Sequence, residues 1–262
     1  MTDEKEKQEG FAWERGTHYA TYGVILGKFI AQSIIENTSG GSLLDLACGD
    51  GTLTKMLAPH FDRVVGVDAA ASHLEKAKAL LPDVEFHHAL IEELETEERF
   101  DAVTMVCLLE HVINPVEVLK QSAAFLKPEG RIMVHVPNAH AINRRIAVEM
   151  GTLESMEELT PFDLDVIGHR RSYTLDTLAA EFEAAGLELL QTGGVFYKML
   201  SSPQLDWLLA EGKWEGNEFG WGRVGAEPKD WRHEFCRSCY EIGKERPEDT
   251  NVIFACARRK GE

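Results

Sequence analysis

The sequence predicts an α/β fold, a single doubly wound and mostly parallel sheet of seven strands with helices on both faces. Three observations predict it. Short β-rich runs alternate with helical stretches along most of the chain. Two glycines sit where the first apolar strand turns into a helix, and an acid ends the second strand.

The elements follow in order. Apolar residues recur at helical spacing over Tyr22–Ile35, and Asn37–Gly41 then makes a turn. Strand Ser42–Leu46, helix Thr52–Ala58, strand Arg63–Val67, helix Ala70–Leu81 and strand Val84–His88 come next. The alternation continues through strand Phe100–Val106, helix Pro115–Phe125, strand Arg131–Val136, helix Leu175–Ala185 and strand Leu187–Thr192. Asn251–Ala257 supplies a seventh strand. Residues 1–36 are expected to form a helical lid, with a mobile charged leader at 1–9, and residues 37–262 the core. Two long interruptions, about 138–173 and 201–247, are expected to cap an acceptor site, because connections of that length in a compact domain usually carry function.

Composition narrows the function. A chain of 262 residues can bury one large core. Its 27 basic against 44 acidic side chains leave a formal charge of -17, which repels a phosphate backbone and argues against a nucleic-acid partner. No apolar run reaches the ~20 residues needed to span a bilayer, and the leader is charged and unlike a signal peptide. The expectation is a cytoplasmic protein whose 5 cysteines are reduced thiols.

The chemistry-bearing motif is Asp45-Leu46-Ala47-Cys48-Gly49-Asp50-Gly51. Gly49 and Gly51 let a ligand approach the backbone and tolerate positive φ. An ordinary tight turn would look the same, so context has to decide. Asp68 ends the second strand, where a carboxylate can accept both ribose hydroxyls of an adenosine-type cofactor. A dinucleotide pyrophosphate would call for G-x-G-x-x-G, whereas here the position three after Gly51 is Thr54, and Ala47 stands where the series of glycines would begin. A nicotinamide enzyme is therefore the weaker Rossmann-like reading.

At these residues the chain resembles class I S-adenosylmethionine-dependent methyltransferases, whose first motif is an acid, any residue, then glycines at alternate positions. Asp45 matches the acid, Gly49 and Gly51 match glycines, and Ala47 departs at the first. The resemblance covers about residues 40–136 and includes Asp68, Phe100-Asp101-Ala102-Val103 and Leu126-Lys127-Pro128-Glu129-Gly130-Arg131. Leu108-Leu109-Glu110-His111-Val112 and Gly168-His169-Arg170-Arg171-Ser172-Tyr173-Thr174 are similar to the ubiquinone-biosynthesis-like and sugar-modifying branch. The resemblance implies an antiparallel last strand, S-adenosylmethionine as cofactor, S-adenosylhomocysteine as product and a small-molecule acceptor. Cofactor contacts are expected from Asp45, Ala47, Cys48, Gly49, Gly51, Asp68, Ala69, Cys107, Leu108 and Tyr22. The chain has Ala89-Leu90 where many members place an acid for the adenine amino group, so adenine is expected on backbone near Leu90 and Ile91.

If the acceptor is a hydroxyl, a base must take its proton, and a near-neutral imidazole suits that task. His111 follows the fourth strand at the carboxyl edge of the sheet and is the first candidate, with capping a turn or lining the cofactor pocket as its alternative. His169, the second catalytic candidate, forms with Arg170, Arg171 and Tyr173 a basic cluster that either recognises a carboxylate or phosphate or pairs with Asp163 and Asp165. Asn138, His140 and His135 lie at or after the fifth strand, and His135 reads better as a histidine satisfied within the sheet. Trp13, His18, Tyr19 and Tyr22 either fold over the cofactor or pack on the sheet, Tyr19 being the acceptor-side candidate. His233, Cys236 and Cys239 have metal-like spacing but lack a nearby fourth ligand, so no metal is assigned. Trp207, Trp214, Phe219, Trp221 and Trp231 suggest a lid or a homodimer surface. The expected activity is methyl transfer to an oxygen of an anionic or sugar-bearing metabolite. Transfer to nitrogen and a non-catalytic cofactor-binding subunit stay open.

Overall fold

The computed structural model describes residues 2–10, 19–214 and 230–261. Seven strands form one sheet: β1 Ser42–Leu46, β2 Arg63–Asp68, β3 Glu85–His88, β4 Phe100–Val106, β5 Leu126–Pro137, β6 Leu187–Gly194 and β7 Val252–Arg259. Their order is β3-β2-β1-β4-β5-β7-β6. The pairs among β1 to β5 are parallel, and β7 runs antiparallel between β5 and β6. The order reverses between β1 and β4, which opens a crevice at the carboxyl ends of the strands.

Each face of the sheet buries its own helices. Helices α1 Thr2–Gly10, α2 Ala20–Asn37, α3 Thr52–Leu57, α4 Ala71–Leu80, α5 Pro115–Ala124, α6 Ile142–Glu149, α7 Leu175–Ala184, α8 Ser202–Glu211 and α9 Trp231–Glu245 surround it. On one face Val118, Leu119, Leu178 and Phe182 of α5 and α7 pack on Val103, Ile132 and Ala255. On the other, α2, α8 and α9 bring Phe29, Ile34, Leu205, Leu209 and Tyr240 against Leu43, Met133 and Phe254. Burial of such apolar side chains contributes about 1.5–3 kcal/mol each, and it sets where the strand ends lie.

Several elements depart from their sequence-based limits. The fifth strand, expected to start at Arg131, begins at Leu126, because Leu126 pairs with Phe100 and a bulge absorbs the register shift before Ala102. The leader forms α1 and docks through ion pairs of Lys5 with Glu93 and Glu4 with Arg170. The second interruption is not wholly a cap. Its helix α9 buries Cys236, Cys239 and Tyr240 in the sheet face, and Tyr240 stacks on Phe29 with ring centroids 4.9 Å apart. Trp207 is exposed and Trp214 packs on Phe235, while Trp13, His18, Phe219 and Trp221 lie outside the described residues. All five cysteines are free thiols. No described helix is long and apolar enough to cross a membrane.

His135 sits inside β5, fully buried, with Nε2 2.6 Å from the Ser33 hydroxyl. Burial pushes its imidazole down to about 3. The unfolded side chain titrates near 6.5, so between those values the unfolded chain binds one proton more and stability falls as pH falls. Urea unfolding at pH 7.5 and pH 5 is expected to show wild type losing about 2 kcal/mol more than His135→Gln over that interval.

Candidate active site

A cavity of about 700 Å³ opens over the carboxyl ends of β1, β2, β4 and β5, within the range that ligand sites occupy. At its floor the first turn is held from below. Asp45 is buried and accepts from the Thr54 hydroxyl at 2.7 Å and the Thr104 hydroxyl at 3.1 Å. Thr54, which stands where a dinucleotide motif would have its last glycine, anchors the motif's acid instead. Ala47 lines the cavity and takes a φ of 59°, a left-handed conformation that costs a non-glycine residue energy and tends to persist where function requires it.

The two glycines do different things. Gly49 lines the cavity with a φ of 56°, and an added Cβ there would meet nothing within 4 Å. Gly51 starts α3 with a φ of 79°, and its Cβ would lie 3.1 Å from the Ala77 backbone. Gly49 therefore keeps space for a ligand, whereas Gly51 keeps α3 against α4. Neither Asp45 nor Cys48 nor Gly51 lines the cavity, contrary to their expected direct contact. Cys48 turns into an apolar cluster with Leu74, Ala77 and Phe86.

Asp68 joins the turn to the second strand. Its Oδ2 accepts from the Gly49 N–H at 2.8 Å and its Oδ1 from the Ala70 N–H at 2.9 Å. A carboxylate has about four lone-pair sites, so two are left for a ligand's hydroxyls. Ala69, Leu90 and Ile91 line the same end. Cys107 and Leu108 line it from the end of β4, with Cys107 at a φ of 52°.

His111 and His169 meet in the cavity wall, their ring centroids 4.9 Å apart. Burial, then the neighbouring His169, pushes His111 down to about 4, so its ring is neutral, and the Gly168 carbonyl holds one ring nitrogen. His169 has Nδ1 3.6 Å from Asp163, yet burial still lowers its proton affinity. Glu110 is buried beneath them, and desolvation pushes its carboxyl up to about 8. Glu110, His111 and His169 bring ligand-type atoms within 4.8 Å of one another, a carboxylate and two imidazoles that can hold a metal ion. The motif fragment Glu110-His111 contained two of these three residues, but nothing in the sequence joined them to His169. His233 is exposed while Cys236 and Cys239 are buried, so that spacing does not converge.

The basic cluster is used inside the fold. Arg170 donates to the His111 carbonyl at 2.6 Å and pairs with Glu4, and Arg171 donates to the carbonyls of Leu109, Val112 and Ile113. Tyr173 is buried with its hydroxyl on the Leu109 carbonyl. Neither Arg170 nor Tyr173 lines the cavity, so the expected acceptor contacts become clamps on the loop that carries His111. Carbonyl oxygens at a strand end need donors, and guanidinium forks supply them. Asn138 lines the cavity, but its side chain is engaged with Glu248, Thr250 and His140 backbone groups. Tyr19 and Tyr22 of the leading segment close one wall, Tyr22 edge-on to Phe196 at 5.9 Å. Two cavity cations carried no sequence signal: Arg144 and Lys198.

A parallel sheet with this strand order, a glycine turn at its crevice and an acid latched to that turn define the Rossmann-like class of methyltransferases. The comparisons agree: a methyltransferase-domain model matches residues 23–192, and the chain belongs to the class I S-adenosylmethionine-dependent methyltransferase superfamily. A ubiquinone biosynthesis O-methyltransferase of Coxiella burnetii (strain RSA 493 / Nine Mile phase I) is 31% identical over 183 residues, covering 67% of this chain and 74% of that protein. An S-adenosylmethionine-dependent methyltransferase from Clostridium acetobutylicum ATCC 824 superposes with a TM-score of 0.54 at 15% identity, covering 90% of this chain and 92% of its own. The [4+2]-cyclase SpnF superposes with a TM-score of 0.57 at 18% identity, covering 90% and 82%. These two structures support the fold.

Proposed function

We propose that the chain transfers the methyl group of S-adenosylmethionine to an oxygen of a small hydroxylated metabolite bound beside His111. The observation that carries this is the half-buried His111 imidazole, held neutral by desolvation, in the wall of the cavity whose other end holds Asp68 and Gly49. The O-methyltransferase relatives support oxygen as the atom methylated.

The residues present fit the cofactor. The space above Gly49 is open, and Asp68 keeps acceptor sites for ribose. Ala47, Leu90 and Ile91 would flank the adenosine. S-adenosylmethionine supplies an activated methyl carbon on sulfonium. With an acceptor hydroxyl seated beside it, the free nitrogen of His111 would take the hydroxyl proton, while the wall around it would hold the oxygen in line with the methyl group. Most of the rate then comes from orientation in a site closed to water. Helix α1 fits the role of lid, because Glu4 and Gln8 line the mouth and Glu4 reaches Arg170 on the loop clamping His111.

The test is calorimetric titration with S-adenosylhomocysteine, followed by a methyl-transfer screen of hydroxylated acceptors. Micromolar binding and O-methylated product are expected; no binding overturns the reading. Turnover unchanged by a chelator assigns His111 as base, and chelator-sensitive turnover assigns the trio with Glu110 and His169 to a metal.

A further inference from the structure

Lys198 follows β6 and reaches the cavity at the half bounded by Pro137, Asn251 and Val252, away from Asp68 and Leu90. Only 3% of the residue is exposed. Its Nζ donates to the Ser202 hydroxyl at 2.7 Å and lies 5.0 Å from the Tyr22 ring centroid. Among the described residues no carboxylate pairs with it. The neighbouring cations are occupied: Arg144 donates to the Met156 and Glu158 carbonyls, and Arg171 to the loop behind His111. An ammonium has three donors, and Ser202 takes one.

A buried charge is costly unless something pairs it. A hydroxyl and a ring face are weak compensation in a wall otherwise built from Ile30, Leu26 and Val252. Burial pushes the lysine down to about 7, so without an anion beside it the amine is only partly charged, and an anion on the ligand side would restore the full ammonium. A site that discriminates by charge presents such a group. Resting on the methyl-transfer reading above, we propose that Lys198 is the anion-recognising residue of the acceptor subsite, and that the acceptor carries a carboxylate that seats against its ammonium. With the basic cluster at 169–171 engaged in clamping, Lys198 takes over the role that the sequence had suggested for it.

The experiment titrates S-adenosylhomocysteine-saturated protein with benzoate and with benzamide, its neutral isostere. Benzoate is expected to bind wild type roughly tenfold tighter than benzamide, as one charge-assisted hydrogen bond implies. That preference should vanish in Lys198→Met and persist in Lys198→Arg, with S-adenosylhomocysteine affinity kept in both. A circular-dichroism spectrum and unfolding midpoint like those of wild type report that the variants are folded; Lys198→Gln replaces the Met variant if that one fails this control. Equal binding of the two probes, binding of neither, or a preference that survives removal of the lysine overturns the proposal. Selective loss of S-adenosylhomocysteine affinity in Lys198→Met overturns it too, by assigning the lysine to the cofactor's own carboxylate. If wild type does not bind S-adenosylhomocysteine, the methyl-transfer reading falls first; if it does and the preference is absent, only the role of Lys198 falls.

Discussion

Asp68→Ala is expected to weaken S-adenosylhomocysteine binding by roughly a hundredfold or more, since two hydrogen bonds to a charged group are worth about 1.5–3 kcal/mol each. The same carboxylate accepts from the Gly49 and Ala70 N–H groups, so its removal also releases the turn that faces the ligand. Isothermal titration of the folded variant checks this, and affinity within threefold of wild type would refute the site. Two glycine variants sharpen the result. Gly49→Val places a side chain in open cavity space at a left-handed φ of 56°. It should lose binding while costing only about 1–2 kcal/mol of backbone strain. Gly51→Val drives into the Ala77 backbone at 3.1 Å, so it should lower the unfolding midpoint itself.

His111→Ala is expected to lower kcat by roughly 10²–10⁴-fold, the span that a positioned proton acceptor contributes. Cofactor affinity should stay unchanged, because Asp68, Leu90 and Ile91 stand at the other end of the cavity. His111→Asn serves as a second variant that keeps a polar group toward the Gly168 carbonyl. Single-turnover rates with a fixed acceptor read the chemical step directly. A rate within threefold of wild type in both variants would remove His111 from the proton path and leave orientation alone to account for methyl transfer.

The end of the cavity that holds the glycine turn and Asp68 was legible because its determinants are local. Strand, turn and acid lie within short stretches of chain whose periodicity and glycine placement are readable, and Gly49, Asp68, Leu90 and Ile91 all reach the cavity. Direct contact by Asp45, Cys48 and Gly51 was misjudged, since adjacency in a motif does not say which way a side chain points. Asp45 faces down to Thr54 and Thr104, and Cys48 faces the apolar cluster around Phe86. The acceptor end depends on contacts between distant segments. Arg171 meets a carbonyl 62 positions away and Glu4 meets Arg170 across 166. A pair of arginines reads as an anion site in sequence, yet in the fold it satisfies backbone oxygens of the loop around His111.

By itself the sequence determined the alternation of strands and helices, the superfamily and the glycine turn with its partner acid, because period, glycine conformation and one carboxylate are properties of short segments. Only the tertiary structure decided that the leader docks as a helix, that Arg170, Arg171 and Tyr173 clamp the His111 loop, and that Lys198 stands buried without a carboxylate partner among the described residues. The physical reason is that the energy of a charged or polar group depends on which distant atoms share its burial, and only the packed sheet, with its two helix layers, fixes those neighbours.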